Sequence, residues 1–165
     1  MVKIGFTLFF VCLLISCKSK TEYQQQVLIK NETTSTFTIK LFPKSEYLLA
    51  NSYSFSSVGN GYRDTEFELQ SQFEQELYVM DELDEEPTTI IKQVFDSIHV
   101  IFPDPSLGKI RFSSHKVDGY SENLYENDSL WDNQVRNLDF ATNFRSNPVE
   151  SNDYIFIISE DKYRF

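Results

Sequence analysis

Cysteine, histidine and positive charge are all scarce in this chain. Its 165 residues hold two cysteines, two histidines and 15 Lys+Arg against 25 Asp+Glu, a formal net charge of -10. So few cations argue against a nucleic-acid binder, which must neutralise phosphates with a basic surface. Two histidines, His99 and His115, do not make an H-E-x-x-H zinc pair, and no nucleophile-elbow glycine motif surrounds a serine. No apolar run is long enough to cross a bilayer: the stretch Ile4–Ile15 is broken by Gly5 and Thr7 and would span only about 18 Å as a helix. Aromatic side chains are plentiful, with 15 Phe and 9 Tyr. They can build a core, which argues against global disorder, and the length suits one domain.

Residues 1–16, MVKIGFTLFFVCLLIS, carry a positive charge at Lys3 and then the apolar run. That order is the plan of a secretory signal peptide. Leu14-Ile15-Ser16-Cys17 resembles the lipobox of bacterial lipoproteins. The resemblance implies cleavage after Ser16, a thioether-linked diacylglyceryl group on Cys17, and acylation of the new amine. Each buried methylene contributes about 0.8 kcal/mol, so several acyl chains make a stable anchor. The expected organisation is a lipoprotein signal peptide over 1–16, a lipid-anchored polar tether over 17–24 and a single β-rich domain over 25–165. Cys12 leaves with the signal and Cys17 is consumed by lipid. No thiol pair then remains for a disulfide, CxxC redox chemistry or a cysteine metal site.

The body reads as short strands. Val27 and Ile29 alternate with polar neighbours, and so do Phe37, Ile39 and Leu41. The polar Asn31-Glu32-Thr33-Thr34-Ser35 between them predicts a β-hairpin, with Pro43 ending its second strand. Leu49, Tyr53 and Phe55 suggest further strand, and Gly59-Asn60-Gly61 a tight turn. Glu66–Leu69 resumes the alternation, and Phe73–Met80 fits a strand better than a helix. Asp81-Glu82-Leu83-Asp84-Glu85-Glu86 is an acidic loop. Ile90-Ile91 and Val94-Phe95 favour strand by their β-branched and aromatic content. Ile98, Val100 and Phe102 share one face of a strand, with Ser97 and His99 on the other. A turn over Pro103–Gly108 leads to a strand at Lys109–Ser113. From Lys116 to Glu150 the pattern weakens to loop or short helix, and Tyr154–Ile158 makes a closing central strand. The fold class is therefore all-β: an antiparallel β-sandwich, immunoglobulin-like or related, with a loop-rich or short-helical insertion before the last strand.

Asn31–Phe42, Phe95-Asp96-Ser97-Ile98 and Tyr154–Ile158 behind a lipobox give the chain a general likeness to small Bacteroides-type bacterial lipoproteins. Some of these carry an acidic stretch after the lipidated cysteine that routes them to the outer face. Lys18-Ser19-Lys20-Thr21-Glu22 has two lysines instead. The resemblance thus implies a lipid anchor in the outer membrane, on its periplasmic face. It also supplies an O-glycosylation pattern, Asp-Ser/Thr-apolar, matched at Asp96-Ser97-Ile98 and Asp128-Ser129-Leu130. Ser97 and Ser129 are the candidate acceptors. Asn31-Glu32-Thr33 and Asn127-Asp128-Ser129 match the eukaryotic N-glycosylation pattern, which a bacterial lipobox makes irrelevant.

No catalytic set emerges. Asp96, Ser97 and Asp118 lie near the histidines in sequence, but nothing accompanies them. Asp81, Asp84, Glu85 and Glu86 offer oxygens without EF-hand spacing. No metal site and no cofactor are assigned. Tyr120, Tyr125 and Trp131 sit in a polar segment and are candidates for stacking on a sugar or a protein. The leading expectation is a non-catalytic cell-envelope lipoprotein acting as a protein-binding or accessory subunit. The alternatives are a glycan-binding module using the aromatics at 120–131, and a small envelope hydrolase built on His99 or His115. The expected partners are the membrane through Cys17, an envelope protein and, in the second reading, a glycan.

Overall fold

The computed structural model describes residues 22–46, 65–80, 85–105, 108–115, 122–138 and 149–163. Along them run β1 (Glu22–Asn31), β2 (Phe37–Pro43), β3 (Glu66–Leu69), β4 (Glu74–Met80), α1 (Pro87–Val94), β5 (Phe95–Ile101), β6 (Lys109–Ser113), β7 (Trp131–Leu138) and β8 (Val149–Ile158). The strands make two four-stranded sheets, the first in the order β4-β1-β8-β7 and the second β3-β2-β5-β6. The expected all-β sandwich is the architecture found. All neighbours are antiparallel except β1 and β8, which run parallel from Glu22 beside Val149 to Asn31 beside Ile158.

Strand alternation puts one face of each sheet into the core. The second sheet contributes Phe37, Ile39, Leu41, Ile98, Val100, Ile110 and Phe112. The first contributes Val27, Ile29, Leu77, Phe156 and Ile158. Phe112 meets Phe156 edge-on at 5.5 Å and Tyr163 at 6.0 Å, so a ring from the second sheet is clasped by rings from β8 and the turn after it. The closing strand is central as expected, between β1 and β7. Of the turn expected after β5, Ser106 and Leu107 lie outside the described residues; Gly108 has a positive φ of 66° and its N–H donates to Pro105 O at 3.2 Å.

Three expectations are corrected. β1 and β2 are not a hairpin: β1 pairs with β4 and β8, and β2 with β3 and β5. The chain between them crosses from one sheet to the other, and Asn31 fixes the crossing. Its side chain is fully buried. Nδ2 donates to Ser35 O at 2.8 Å and Leu69 O at 2.9 Å, while Oδ1 accepts from Thr33 N at 2.9 Å and Thr33 Oγ1 at 2.7 Å. The β3–β4 link crosses at the same place, because Asn31 N donates to Phe73 O and Gln72 N to Asn31 O. An amide whose four hydrogen-bonding positions are met by Thr33, Ser35 and the distant Leu69 holds the chain away from a hairpin ladder.

Residues 87–94 are helical, not extended. Pro87 sits in the first turn, where its fixed φ suits a helix, and Thr88, Ile90, Ile91 and Val94 fall on one buried face. That face outweighs the strand preference of Ile and Val. The helix has no side-chain cap from its own N-cap residue, Glu86. Instead Thr88 N donates to Asp128 Oδ1 at 3.0 Å, from a short 3-10 turn at Asp128–Leu130. Residues 131–138 form β7, where only loop or short helix was expected. β7 is an edge strand, and Asn133, Val135 and Asn137 on its sandwich-facing parity are exposed, so it has no apolar alternation to read.

β1 begins at Glu22, inside the segment read as tether, so only residues 18–21 separate Cys17 from the sheet. Leu49, Tyr53, Phe55, Gly59-Asn60-Gly61 and 81–84 lie outside the described residues, as do residues 1–21.

Candidate functional site

The outward face of the second sheet gathers the chain's most distinctive polar groups. Sheet register places them in rows. Lys40 of β2 stands opposite His99 of β5, which stands opposite Arg111 of β6. One row along, Thr38 faces Ile101, which faces Lys109; one row back, Phe42 faces Ser97, which faces Ser113. On the edge strand β3, Glu66 and Glu68 stand opposite Lys40 and Thr38. Each of these residues alternates with a core residue, which is why the polar ones share a face.

His99 is the centre of the face. Its ring lies 4.4 Å from that of Phe42, tilted by 45°, and its Nε2 is 3.3 Å from Ser97 Oγ. Partial burial holds the imidazole below its ordinary pKa, and the charges of Lys109, Arg111 and Lys40 push in the same direction. Lys40 is neutralised by Glu66 at 2.7 Å. Lys109 and Arg111 are exposed and have no carboxylate partner among the described residues. Beside the row, at the Thr38–Ile101 end, a groove of about 580 Å³ opens between Ser35, Thr36, Phe37, Ile101, Phe102 and Pro103.

A serine 3.3 Å from an imidazole is two parts of a nucleophilic set. The third is a carboxylate to orient the ring and stabilise its charge. Here the charges bearing on His99 are cations, and Ser97 is buried at 4% exposure. Among the described residues no carboxylate is set against the ring, and the charges around it are positive. His115 is exposed beyond β6, with Nδ1 3.4 Å from Ser114 Oγ, and Ser113 Oγ donates to the backbone carbonyl of His115 at 2.7 Å. Asp118 lies outside the described residues.

The aromatic candidates fare differently. Tyr125 has no exposed surface, and its hydroxyl donates to Phe95 O at 3.3 Å. Burial, with Asp96 nearby, pushes that phenol far above its ordinary pKa. Trp131 is 6% exposed, and its Nε1 donates to Leu124 O at 3.2 Å. Both rings belong to the core, so they offer no platform for a sugar. Their polar tips find backbone acceptors inside, which lets polar-flanked aromatics pack inward. Tyr120 lies outside the described residues, as does Cys17.

Ser97 points into the contact with His99, whereas Ser129 is exposed on the 3-10 turn, its N–H donating to Asn127 Oδ1 at 2.9 Å. From the acidic loop, Glu85 accepts Gln93 Nε2 at 3.1 Å. Among the described residues no three His, Cys, Asp or Glu side chains group to hold a metal ion, and no helix is long and apolar enough to cross a membrane. The basic row was missed in the sequence because Lys40, His99 and Arg111 sit on three different strands, β2 far from the other two in the chain. Each reads singly as a polar position on an alternating strand, and only register joins them. Comparison with protein-family models, curated proteins and solved structures finds no match.

Proposed function

We propose that this protein is a non-catalytic cell-envelope lipoprotein, held in the outer membrane through Cys17 on the periplasmic side, that binds a partner protein as an accessory subunit. The observation that carries the binding reading is the outward face of the second sheet. Among the described residues it presents Lys109 and Arg111 without carboxylate partners, on a chain with a net charge of -10. A rigid sheet holds those groups in fixed rows, which favours recognition of a surface over catalysis. The cations around His99, with no carboxylate set against its ring among the described residues, speak against the hydrolase reading of this face, and the buried Tyr125 and Trp131 against the glycan platform.

In-cell crosslinking of the tagged full chain, followed by purification and mass spectrometry, tests the proposal. A near-stoichiometric envelope protein should be recovered with the wild type. Cys17→Ala should lose the lipid-bearing mass, membrane attachment and that partner together. A Cys17→Ala chain that keeps lipid overturns the anchor. A wild-type chain that is membrane-bound yet recovers no protein overturns the accessory role.

A further inference from the structure

We infer that the row Lys40–His99–Arg111, with Lys109 beside it, is a docking strip for an acidic, extended segment of the partner protein. The inference rests on the partner-binding reading above and names the chemistry of its site. Three cations on one outward face, from the two strands that flank β5, bear on a single imidazole. The chain as a whole is acidic, so an acidic segment is repelled elsewhere and drawn to this face. Lys40 is already paired with Glu66 towards the β3 edge, which among the described residues leaves Lys109 and Arg111 on β6 as the charges still to be met. Glu66 and Glu68 close the strip on the β3 side and direct an acidic occupant towards β5 and β6.

Spacing favours a polypeptide. Neighbouring strands lie about 4.8 Å apart, so Lys40 and Arg111 are separated by about 10 Å across the sheet. In an extended segment, alternate side chains recur about every 7 Å, so a segment laid across the strands can present two carboxylates within that span. The fork of Arg111 suits a carboxylate in two-pronged geometry. Phe42 on one side of the row and Ile101 on the other are only partly buried. They offer apolar contact to the segment's intervening side chains, contact that a simple inorganic anion would leave unused. The groove at the Thr38–Ile101 end lies on the β2–β5 side of the strip, lined by Phe37, Ile101 and Phe102 together with the polar Thr38 and Glu68.

The test uses the full-length chain in cells, with a photoreactive benzoylphenylalanine placed either at Ile101, within the strip, or at Val135, exposed on β7 of the other sheet. Illumination should give a protein adduct from position 101, and the crosslinked partner peptide should be rich in Asp and Glu. Lys109→Glu combined with Arg111→Glu should cut that adduct about tenfold while leaving protein level and membrane attachment unchanged. Several results would overturn the strip. An adduct from 101 that survives charge reversal would do so, as would a crosslinked peptide without acidic residues or a glycan adduct. Adducts from 135 alone would also overturn it while sparing the accessory role. Adducts from neither site, with no partner in the earlier capture, would remove both readings.

Discussion

Arg136, on one edge strand of the first sheet, grips Glu74, on the opposite edge strand, with both terminal nitrogens; the Nη2–Oε2 contact is 3.0 Å. Between them in the sheet lies Asp153 of β8, only 1% exposed, whose Oδ2 is 3.2 Å from Arg136 Nε and whose Oδ1 accepts the Ser151 hydroxyl. One guanidinium thus serves two carboxylates of unequal burial on the face turned away from the core. Leu28 and Ile155, of the same parity, are buried there but stand outside the main core cluster.

That inequality predicts unequal losses. Arg136→Ala strands a buried carboxylate at Asp153 and should cost about 3 kcal/mol, whereas Glu74→Ala, which removes a half-exposed partner, should cost about 1 kcal/mol or less. Urea unfolding of the two variants checks the order. Equal losses would contradict the assigned role of Asp153.

Glu74 also titrates predictably. The hydrogen bond from Arg136, opposed in part by burial, holds its carboxyl below the ordinary 4.5. A lowered folded-state pKa gives stability that is present above 4.5 and lost as pH falls through the lowered value. Glu74→Gln should therefore flatten the fall of stability in that acidic window, read from unfolding midpoints as pH is stepped down.

His99 shows the same loss on acidification, though its proton adds a charge where that of Glu74 removes one. Its folded pKa lies below 6.5, so the unfolded chain takes up its proton first as pH falls. The contribution is full above 6.5 and drains away as pH drops through 6.5 towards the lowered value. His99→Gln should make stability less sensitive to pH across that window. An unchanged slope would mean that neither burial nor the surrounding cations hold the ring's pKa down.

Asn31 joins two crossings between the sheets. Asn31→Ala leaves Ser35 O and Leu69 O without the donor they share and should cost about 3 kcal/mol. Asn31→Asp should be at least as damaging, since a carboxylate cannot donate to either carbonyl. Thermal unfolding would separate this from Glu32→Ala, a neighbouring exposed change, which should be near neutral.

Asp128 caps α1 from a remote part of the chain, so Asp128→Ala should lower stability by about 1 kcal/mol. Hydrogen exchange should quicken first at the Thr88 amide. Faster exchange confined to the 3-10 turn would argue against the cap.

The sequence announces strands where one face is buried and the other wet. Phe37-Thr38-Ile39-Lys40-Leu41 and Ile98-His99-Val100 are legible for that reason, down to which face His99 takes. Pairing is less legible. Asn31-Glu32-Thr33-Thr34-Ser35 has turn composition whether the chain returns to the same sheet or passes to the other. What decides is the reach of one amide to Leu69, a distant contact. The helix at 87–94 was hidden by β-branched residues that a buried helical face readily accommodates. β7 was hidden because an exposed edge needs no apolar alternation. The basic row follows the same rule: its members are visible, but their adjacency is a property of strand register.

The parallel embrace of β1 and β8 sets an order of assembly. A chain delivered from its N-terminus presents Val27 and Ile29 long before Phe156 and Ile158 exist. Every backbone bond between those two strands closes a loop over most of the domain, the slowest kind of contact to form. Until the last strand arrives, the first has one possible neighbour, β4, and an open flank. The first sheet therefore becomes complete only once Val149–Ile158 has been made. A chain cut short before Val149 would keep an unfilled slot at its centre, open to the corresponding strand of another molecule.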